Sequence, residues 1–220
     1  MKLALVVVGD GREEYLRRTV KSITEHVRYP ITSRIMVNDE AAPDYMNRLE
    51  TIYPEFVIAH TNRRGMAGAV QMGFDMARSV DPEFVLWVEE DMELTATLPI
   101  ARAAAVFRGR DNLAQMCFRR EPVGGNEHEA LHGDQLAAIC GQSAFIARHD
   151  EFTTHDFIFS LNPCLIPAKI LDYGWDADNE AGMTRKLLEL GYVFGSWGHP
   201  GDGQSWARHI GERRGNGWKL

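Results

Sequence analysis

The chain has 220 residues, of which 45% are hydrophobic and 25% are charged, and its formal net charge at pH 7 is −7. These values fit one globular domain with a sizeable core, and the negative charge argues against a general nucleic-acid or polybasic membrane binder. The three cysteines are widely spaced and indicate neither a disulfide framework nor a zinc site. The N-terminal apolar run, residues 3–8, is too short for a membrane span or a signal-peptide core, so we expect a cytoplasmic protein.

Four short apolar runs in the first half of the chain alternate with amphipathic stretches. The runs predict strands at residues 3–8, 33–37, 56–59 and 84–88. The stretches between them carry apolar residues at helical spacing, and the third contains small residues that allow close packing on a sheet. Strands and helices that alternate in this way predict a parallel sheet, and right-handed crossovers bring the strands' carboxyl ends to one edge. We therefore expect an α/β fold with a mostly parallel central sheet.

The second half of the chain is less regular. Further helices are predicted at residues 98–107, 167–171 and 178–190. Further strands are predicted at residues 113–118, 143–147, 157–160 and 192–197. Residues 119–141 are predicted to form a loop, and the tail from 198 to 220 has little apolar periodicity. Since no linker-like break interrupts the chain, we expect a single domain.

Polar and mostly acidic residues follow the first four predicted strands at their carboxyl ends. In chain order they are Asp10, Asn38 and Asp39, residues 60–65, and the triplet Glu89, Glu90 and Asp91. Because open α/β sheets bind ligands at this edge, we expect these residues to face one cleft. Clustered carboxylates repel one another, and oxygen ligands without a neighbouring Cys or His suit Mg²⁺ or Mn²⁺. A solvated strand exit is the alternative interpretation of the triplet.

Five short segments form an ordered pattern along the chain. They are residues 14–23 in the first helix, 38–39 after the second strand, 62–69 after the third, 89–91 after the fourth, and Gly191-Tyr192 after a late helix. Their order and spacing resemble the nucleotide-sugar-dependent glycosyltransferases of the GT-A fold, particularly glycosyltransferase family 2, in which the fourth strand ends in the DxD metal motif. The resemblance covers residues 3–200.

The resemblance implies a Rossmann-like three-layer α/β/α domain over residues 1–220. Residues 1–97 would bind the nucleotide-sugar and the metal, and residues 98–197 would hold the acceptor and the catalytic base. Independently of the resemblance, the aromatic and arginine residues of the tail, residues 198–220, suggest that it orders over the bound donor as a lid. The alternative is that Trp206 and Trp218 anchor the tail to the domain.

The resemblance also implies roles for individual residues. Asp91 and His199 would bind Mn²⁺ or Mg²⁺, which bridges the donor diphosphate. Donor-binding positions would be Val8, Asp10, Asp39, Arg63, Arg64, Gly65, Glu89 and Glu90. Among these, Glu90 is expected to have a structural role more than to bind a ligand. For Arg63 and Arg64, the alternative is that each lies in a solvated loop and binds no phosphate.

Glu180, reached by counting back from Gly191-Tyr192, would be the general base that deprotonates the acceptor hydroxyl. Asp176 and Asp178 are rival bases, and an acidic residue in the first turn of a helix is also favoured by the helix dipole. Likewise, Asp39 has the alternative role of capping the helix that begins near Pro43.

We therefore expect a metal-dependent glycosyltransferase of the hexosyl- or N-acetylhexosaminyl-transferase type. It would move a sugar from a nucleotide-diphosphate-sugar to a hydroxyl of a glycan, a protein or a small molecule, with inversion. The alternatives are a sugar nucleotidyltransferase and a non-catalytic nucleotide- or sugar-binding module. We expect no nucleic-acid partner and no membrane span. Association into a homo-oligomer is compatible with the sequence.

Overall fold

The structure of the chain, a computed structural model, describes residues 1–118, 120–121, 146–175, 179–199 and 204–211. The strands are β1 (Leu3–Gly9), β2 (Ser33–Asn38), β3 (Val57–His60), β4 (Phe84–Glu89), β5 (Met92–Leu94), β6 (Leu113–Phe118), β7 (Arg120–Glu121), β8 (Ile146–Arg148), β9 (Phe152–His155), β10 (Cys164–Pro167), β11 (Val193–Trp197) and β12 (Ala207–His209). The helices are α1 (Glu13–His26), α2 (Pro43–Ile52), α3 (Gly65–Ser79), α4 (Ile100–Phe107) and α5 (Glu180–Glu189), with a 3-10 helix at Ala168–Tyr173.

Within these residues the strands form one large sheet and one small sheet. The large sheet has the order β3-β2-β1-β4-β10-β6-β11-β9-β8. Strands β3, β2, β1 and β4 are parallel neighbours, whereas β10 and β9 run against the other strands. The small sheet has the order β5-β12-β7. The predicted α/β class and mostly parallel central sheet are therefore confirmed.

The two faces of the large sheet are covered by two separate hydrophobic cores. Successive residues of β1 enter opposite cores, with Leu5 and Val7 on the side of α1 and α4, and Ala4 and Val6 on the side of α3 and α5. The same alternation holds in β4, where Trp87 is fully buried. A strand buried on both faces needs apolar residues at every position, which explains the unbroken apolar runs that precede the polar exits.

The predicted strand at 157–160 is wrong, because this apolar segment has no regular secondary structure. Phe159 is buried, yet its backbone N–H donates to Thr184 Oγ1 at 2.9 Å. The next two N–H groups donate to Gln115 Oε1 at 2.9 Å and to Glu180 Oε1 at 2.5 Å. Since side chains satisfy these backbone donors, the segment can be buried without joining the sheet.

The sequence analysis missed β5, β7, β9, β10 and β12, and β7 falls within the predicted loop at 119–141. Strand β10 is short and lies between prolines at 163 and 167, which resemble turn signals, and β12 comes from the tail. The tail is anchored at Trp206, which is buried and accepts a hydrogen bond from Thr95 N at 2.9 Å. The other predicted helices and strands that fall on described residues are present, with ends shifted by a few residues.

Some expectations concern parts of the chain outside the described residues. These are most of the predicted loop at 119–141, the start of the predicted strand at 143–147, and the tail positions 200–203 and 212–220. The proposed lid therefore remains a prediction. No helix in the described part of the chain combines the length and the apolar character needed to cross a membrane.

Helix α3 approaches the sheet closely at Gly73. A Cβ atom added there would lie 2.7 Å from the ring of Trp87 and 3.3 Å from Val6. We expect Gly73→Ala to lower the free energy of unfolding, because an overpacking cost of about 1–3 kcal/mol outweighs a gain of about 1 kcal/mol in helix propensity. Urea denaturation measures the change. The control is Gly109→Ala, where no atom lies within 4 Å of the added Cβ, and equal stability of the two variants would contradict the prediction.

Candidate active site

The parallel register of β1, β2, β3 and β4 brings their carboxyl ends to one edge of the large sheet. Val8 pairs with Glu89, and Asn38 pairs with both Gly9 and His60. The chain then leaves β1 towards Asp10, β2 towards Asp39, and β4 towards Glu90 and Asp91. The structure therefore places the polar exits in one region, as the alternation of strands and helices predicts.

Arg12, between β1 and α1, is the hub of this region. Its Nε lies 2.6 Å from Glu90 Oε1 and 3.1 Å from Asp10 Oδ1, and its Nη1 lies 2.8 Å from Asp91 Oδ2. One guanidinium thus pairs with three carboxylates, and these ion pairs raise the pKa of Arg12 despite its burial. The sequence analysis did not identify Arg12 as a site residue. The sequence feature that it missed is a basic residue, Arg12, two positions after the acidic Asp10 that follows β1.

Glu90 is buried beneath the hub. Its side chain is 1% exposed and packs against Gly9. A Cβ atom added to Gly9 would overlap Glu90 Oε2 and displace the carboxylate. Burial raises the pKa of Glu90 to about 7, and a hydrogen bond with Asp10 adds to the rise, while Arg12 opposes it. Since Arg12 donates to this carboxylate from its backbone N as well as from Nε, Glu90 holds the β1–α1 turn in place. Its location fits the expected structural role.

Asp91 is contacted from the C-terminal part of the chain. His209 Nε2, at the end of β12, lies 3.3 Å from Asp91 Oδ2, and Ile210 N donates to the Asp91 carbonyl at 2.9 Å. Burial raises the pKa of Asp91, but the hydrogen bond from His209 and the charge of Arg12 outweigh it, so that the pKa lies below its usual value. Residue 91 is thereby fixed to residues that are far away in the sequence.

His199 lies elsewhere in the structure. Its Nδ1 lies 3.3 Å from Thr153 Oγ1, and its Nε2 lies 3.1 Å from the Asp150 carbonyl oxygen. Thr153 is in β9, four strand positions from β4, which corresponds to about 19 Å at the usual strand spacing. The histidine that reaches Asp91 is therefore His209 and not His199. The sequence analysis missed His209 because it did not predict β12.

Asp39 holds the loop that follows β3. Its carboxylate accepts hydrogen bonds from Thr61 Oγ1 and, at 2.9 Å, from Gly65 N, and its carbonyl accepts from Arg63 N at 2.8 Å. Asn62 and Arg63 have φ values of 54° and 62°, which are strained for residues other than glycine. Asp39 thus stabilises an unfavourable loop conformation at the edge of the sheet.

The alternative role of Asp39 as a cap of α2 is wrong. The amides before α2, at Ala41 and Ala42, donate to Glu40 Oε1 at 2.7 and 3.1 Å. Glu40 also pairs with Arg63, whose Nη2 lies 2.7 Å from Oε1. Arg63 is therefore already paired, whereas Arg64 is exposed at the start of α3 and has no ion pair or hydrogen bond with another residue in the described ranges.

Glu180 begins α5 and points away from the amides of its own helix. Asn179 caps α5 by accepting from Gly182 N at 3.1 Å, while Glu180 Oε1 accepts from Leu161 N at 2.5 Å. Leu161 lies three residues before Cys164 of β10, which pairs with Trp87 of β4, so this hydrogen bond places Glu180 near the carboxyl end of β4. The rival bases, at positions 176 and 178, lie outside the described residues.

Asp91 and His209 form the pair best suited to a divalent cation. No group of three or more His, Cys, Asp or Glu side chains that could hold a metal occurs in the part of the chain that is described. Mg²⁺ and Mn²⁺ at phosphate-transfer sites commonly take one or two protein ligands and complete their coordination with substrate phosphates and water. The pair fits such a shared site, provided that Arg12 leaves Asp91.

The raised pKa of Glu90 predicts a pH-dependent stability. The folded protein keeps a proton on this carboxyl up to about pH 7, whereas the unfolded chain releases it near its ordinary value of 4.5. The stabilisation is therefore complete below the unfolded pKa and is lost as the pH rises towards 7, with a slope of at most about 1.4 kcal/mol per pH unit.

We expect the free energy of unfolding of the wild type to fall between about pH 5 and pH 7 relative to that of Glu90→Gln. Urea unfolding of both proteins measures this difference. Contributions of other titrating groups cancel in the comparison, among them that of His155, whose burial lowers its pKa to about 4. Parallel stability profiles of the two proteins would contradict the prediction.

Several solved structures share the fold of this chain. The mannosyltransferase PcManGT from Pyrobaculum calidifontis, in complex with GDP-Man and Mn²⁺, has a TM-score of 0.65 and 16% identity over 97% of this chain and 58% of that chain. S. aureus TarS 1–349 has a TM-score of 0.61 and 13% identity over 96% of this chain and 60% of that chain. In complex with UDP the same protein gives a TM-score of 0.57 and 13% identity, with 94% and 60% covered.

The TM-scores show a shared GT-A fold, and the chain spans less than two thirds of the length of these structures. No curated protein sequence matches it. The family model of glycosyl transferase family 2 matches residues 6–164, which is well over half of the chain and includes every strand exit described above up to β4. The chain belongs to glycosyltransferase family 2.

Proposed function

We propose that the protein transfers a hexosyl or N-acetylhexosaminyl group from a nucleotide-diphosphate-sugar to an acceptor hydroxyl, with Mn²⁺ or Mg²⁺ at Asp91 and with inversion at the anomeric carbon. The observation that carries the proposal is the location of two carboxylates. Asp91 lies two residues after β4, and Glu180 accepts a hydrogen bond from Leu161 N, three residues before the strand β10 that pairs with β4. Family membership makes a nucleotide-sugar the expected donor.

The metal, when bound, supplies a Lewis acid that neutralises the charge developing on the leaving diphosphate. In our proposal its protein ligands are Asp91 and His209, because their side chains already meet at Asp91 Oδ2. The PcManGT structure contains GDP-Man and Mn²⁺, which supports a nucleotide-sugar and a divalent metal as partners of this fold. His209 replaces His199 in this assignment.

Glu180 would act as the general base. The acceptor hydroxyl attacks the anomeric carbon, its proton moves to the Glu180 carboxylate, and the bond between that carbon and the terminal phosphate oxygen breaks. The hydrogen bond from Leu161 N at 2.5 Å fixes one carboxylate oxygen, so the side chain is held in a defined orientation before the acceptor arrives. A single displacement of this kind inverts the anomeric centre.

The nucleoside would lie against the exits of β1, β2 and β3. Asp39 can accept further hydrogen bonds from a base, because a carboxylate has about four acceptor positions and Thr61 and Gly65 use two of them. Arg64 is better placed than Arg63 to meet a phosphate, since Arg63 is paired with Glu40. Val8 and Glu89, which are register partners, would line the same part of the cleft.

The base assignment predicts a defect in turnover. We expect Glu180→Gln to lower kcat by about 10²- to 10⁴-fold with the KM for the donor little changed, because the base touches the acceptor and not the donor. The matched control is Glu189→Gln, an exposed position at the other end of α5. Near-normal turnover in Glu180→Gln would assign the base to another carboxylate.

The metal assignment predicts different results for two histidines. We expect His209→Ala to weaken Mn²⁺-dependent binding of UDP or GDP by at least about tenfold, or about 1.4 kcal/mol. His199→Ala should leave this binding unchanged, since His199 bonds to Thr153 and Asp150. Isothermal titration calorimetry with and without Mn²⁺ measures both effects. The opposite order would return the metal site to His199.

A further inference from the structure

We propose that Arg12 competes with the divalent cation for Asp91, and that it moves from Asp91 to the donor diphosphate when metal and donor bind together. This inference rests on the proposed metal-dependent function. It assigns to Arg12 the role of a positioning residue that couples metal binding to donor binding.

The competition follows from the shared oxygen. Asp91 Oδ2 is 2.8 Å from Arg12 Nη1 and 3.3 Å from His209 Nε2. A divalent cation ligated by both Asp91 and His209 would lie about 2.0–2.6 Å from a carboxylate oxygen. The guanidinium already fills the space beside this oxygen and carries the same sign of charge. Arg12 and the cation are therefore like charges that compete for the same carboxylate oxygen.

The residues around Arg12 limit how its side chain can move away from Asp91. Glu90 lies on one side of the guanidinium at 2.6 Å, and the Tyr15 ring centroid lies 5.4 Å from its central carbon. The chain at Gly211 crosses the Arg12–Asp91 pair, because a Cβ added there would come 2.9 Å from Nη1 and would overlap Asp91 Oδ2. Arg12 cannot shift slightly and keep its partners, so it must turn outward, towards the half-exposed Asp10 and the cleft.

The surrounding charges explain why a cation is needed at this position. The guanidinium faces Asp10, Glu90 and Asp91, and its removal without replacement would leave the charges of Asp10 and Asp91 without a counter-charge beside the buried Glu90. A divalent cation provides the replacement, and the diphosphate provides a new partner for the displaced guanidinium. Guanidinium groups pair well with phosphates, so donor binding favours the exchange.

Because of thermodynamic linkage, this exchange couples the affinity for the metal to the affinity for the nucleotide, and the coupling can be measured. Competition by Arg12 weakens metal binding in the absence of nucleotide, and a nucleotide diphosphate relieves the competition. Removing the guanidinium should therefore strengthen binding of the metal alone and reduce the enhancement by nucleotide. A purely structural role of Arg12 predicts the reverse, since a damaged site would bind the metal less well.

The test is a Mn²⁺ titration followed by electron paramagnetic resonance, first without nucleotide and then with UDP or with GDP. The proteins are the wild type, Arg12→Gln, Arg12→Lys, Asp91→Asn, and the control Arg17→Gln, whose arginine pairs with Glu14 on the exposed side of α1. We expect Arg12→Gln to bind Mn²⁺ alone at least about tenfold more tightly than the wild type, which corresponds to about 1.4 kcal/mol. We expect Arg17→Gln to match the wild type and nucleotide to increase Mn²⁺ affinity more in the wild type than in Arg12→Gln.

Each outcome decides the question. Equal or weaker binding of Mn²⁺ by Arg12→Gln, while Asp91→Asn loses it, would overturn the inference and leave the metal site in place. Absence of Asp91-dependent Mn²⁺ binding in every protein would overturn both the inference and the metal-dependent function. If Arg12→Gln does not fold, Arg12→Lys decides, because a lysine lacks the planar fork that joins three carboxylates. Tighter binding of Mn²⁺ alone by this variant supports the inference, and equal or weaker binding overturns it.

Discussion

The ion pairs of Arg12 hold together the carboxyl edge of the sheet, where strands from both ends of the chain meet. Its guanidinium contacts Asp10 after β1 and both Glu90 and Asp91 after β4. Asp91 in turn contacts His209 at the end of β12. Without a cation at this point, acidic side chains from separate segments would repel one another in a partly buried place. Arg12 thus sets the positions of the carboxylates that surround the proposed metal site.

The fold makes this convergence possible by burying β1 and β4 on both faces. Each strand ends where its apolar run ends, so the first polar residues emerge together at the same level of the sheet. Strand β10, antiparallel to β4, carries Cys164 opposite Trp87 and brings the loop that holds Glu180 to the same edge. Asp91 and Glu180, to which we assign donor-side and acceptor-side roles, therefore come from different halves of the chain and lie near the ends of two adjacent strands.

The sequence predicts the first half of this arrangement well, because its signals are local. The apolar runs before Asp10, Asp39 and Asp91 and the amphipathic helices between them suffice to predict parallel strands with their exits on one edge. The contacts of Arg12 and His209 could not be predicted in this way. They join residues that lie 78 and 118 positions apart in the sequence, and neither contact leaves a periodic pattern.

The central claim is that the exit of β4 binds a nucleotide-sugar through a metal at Asp91. The most direct measurement is the thermal shift of the wild type and Asp91→Asn with a panel of nucleotide-sugars, each with Mn²⁺, with Mg²⁺ and with EDTA. The account predicts a metal-dependent rise in Tm with at least one donor, of about 5–10 °C at ~100 times the Kd, and no such rise in Asp91→Asn. The absence of a shift with every donor, or an equal shift in the variant, would contradict it.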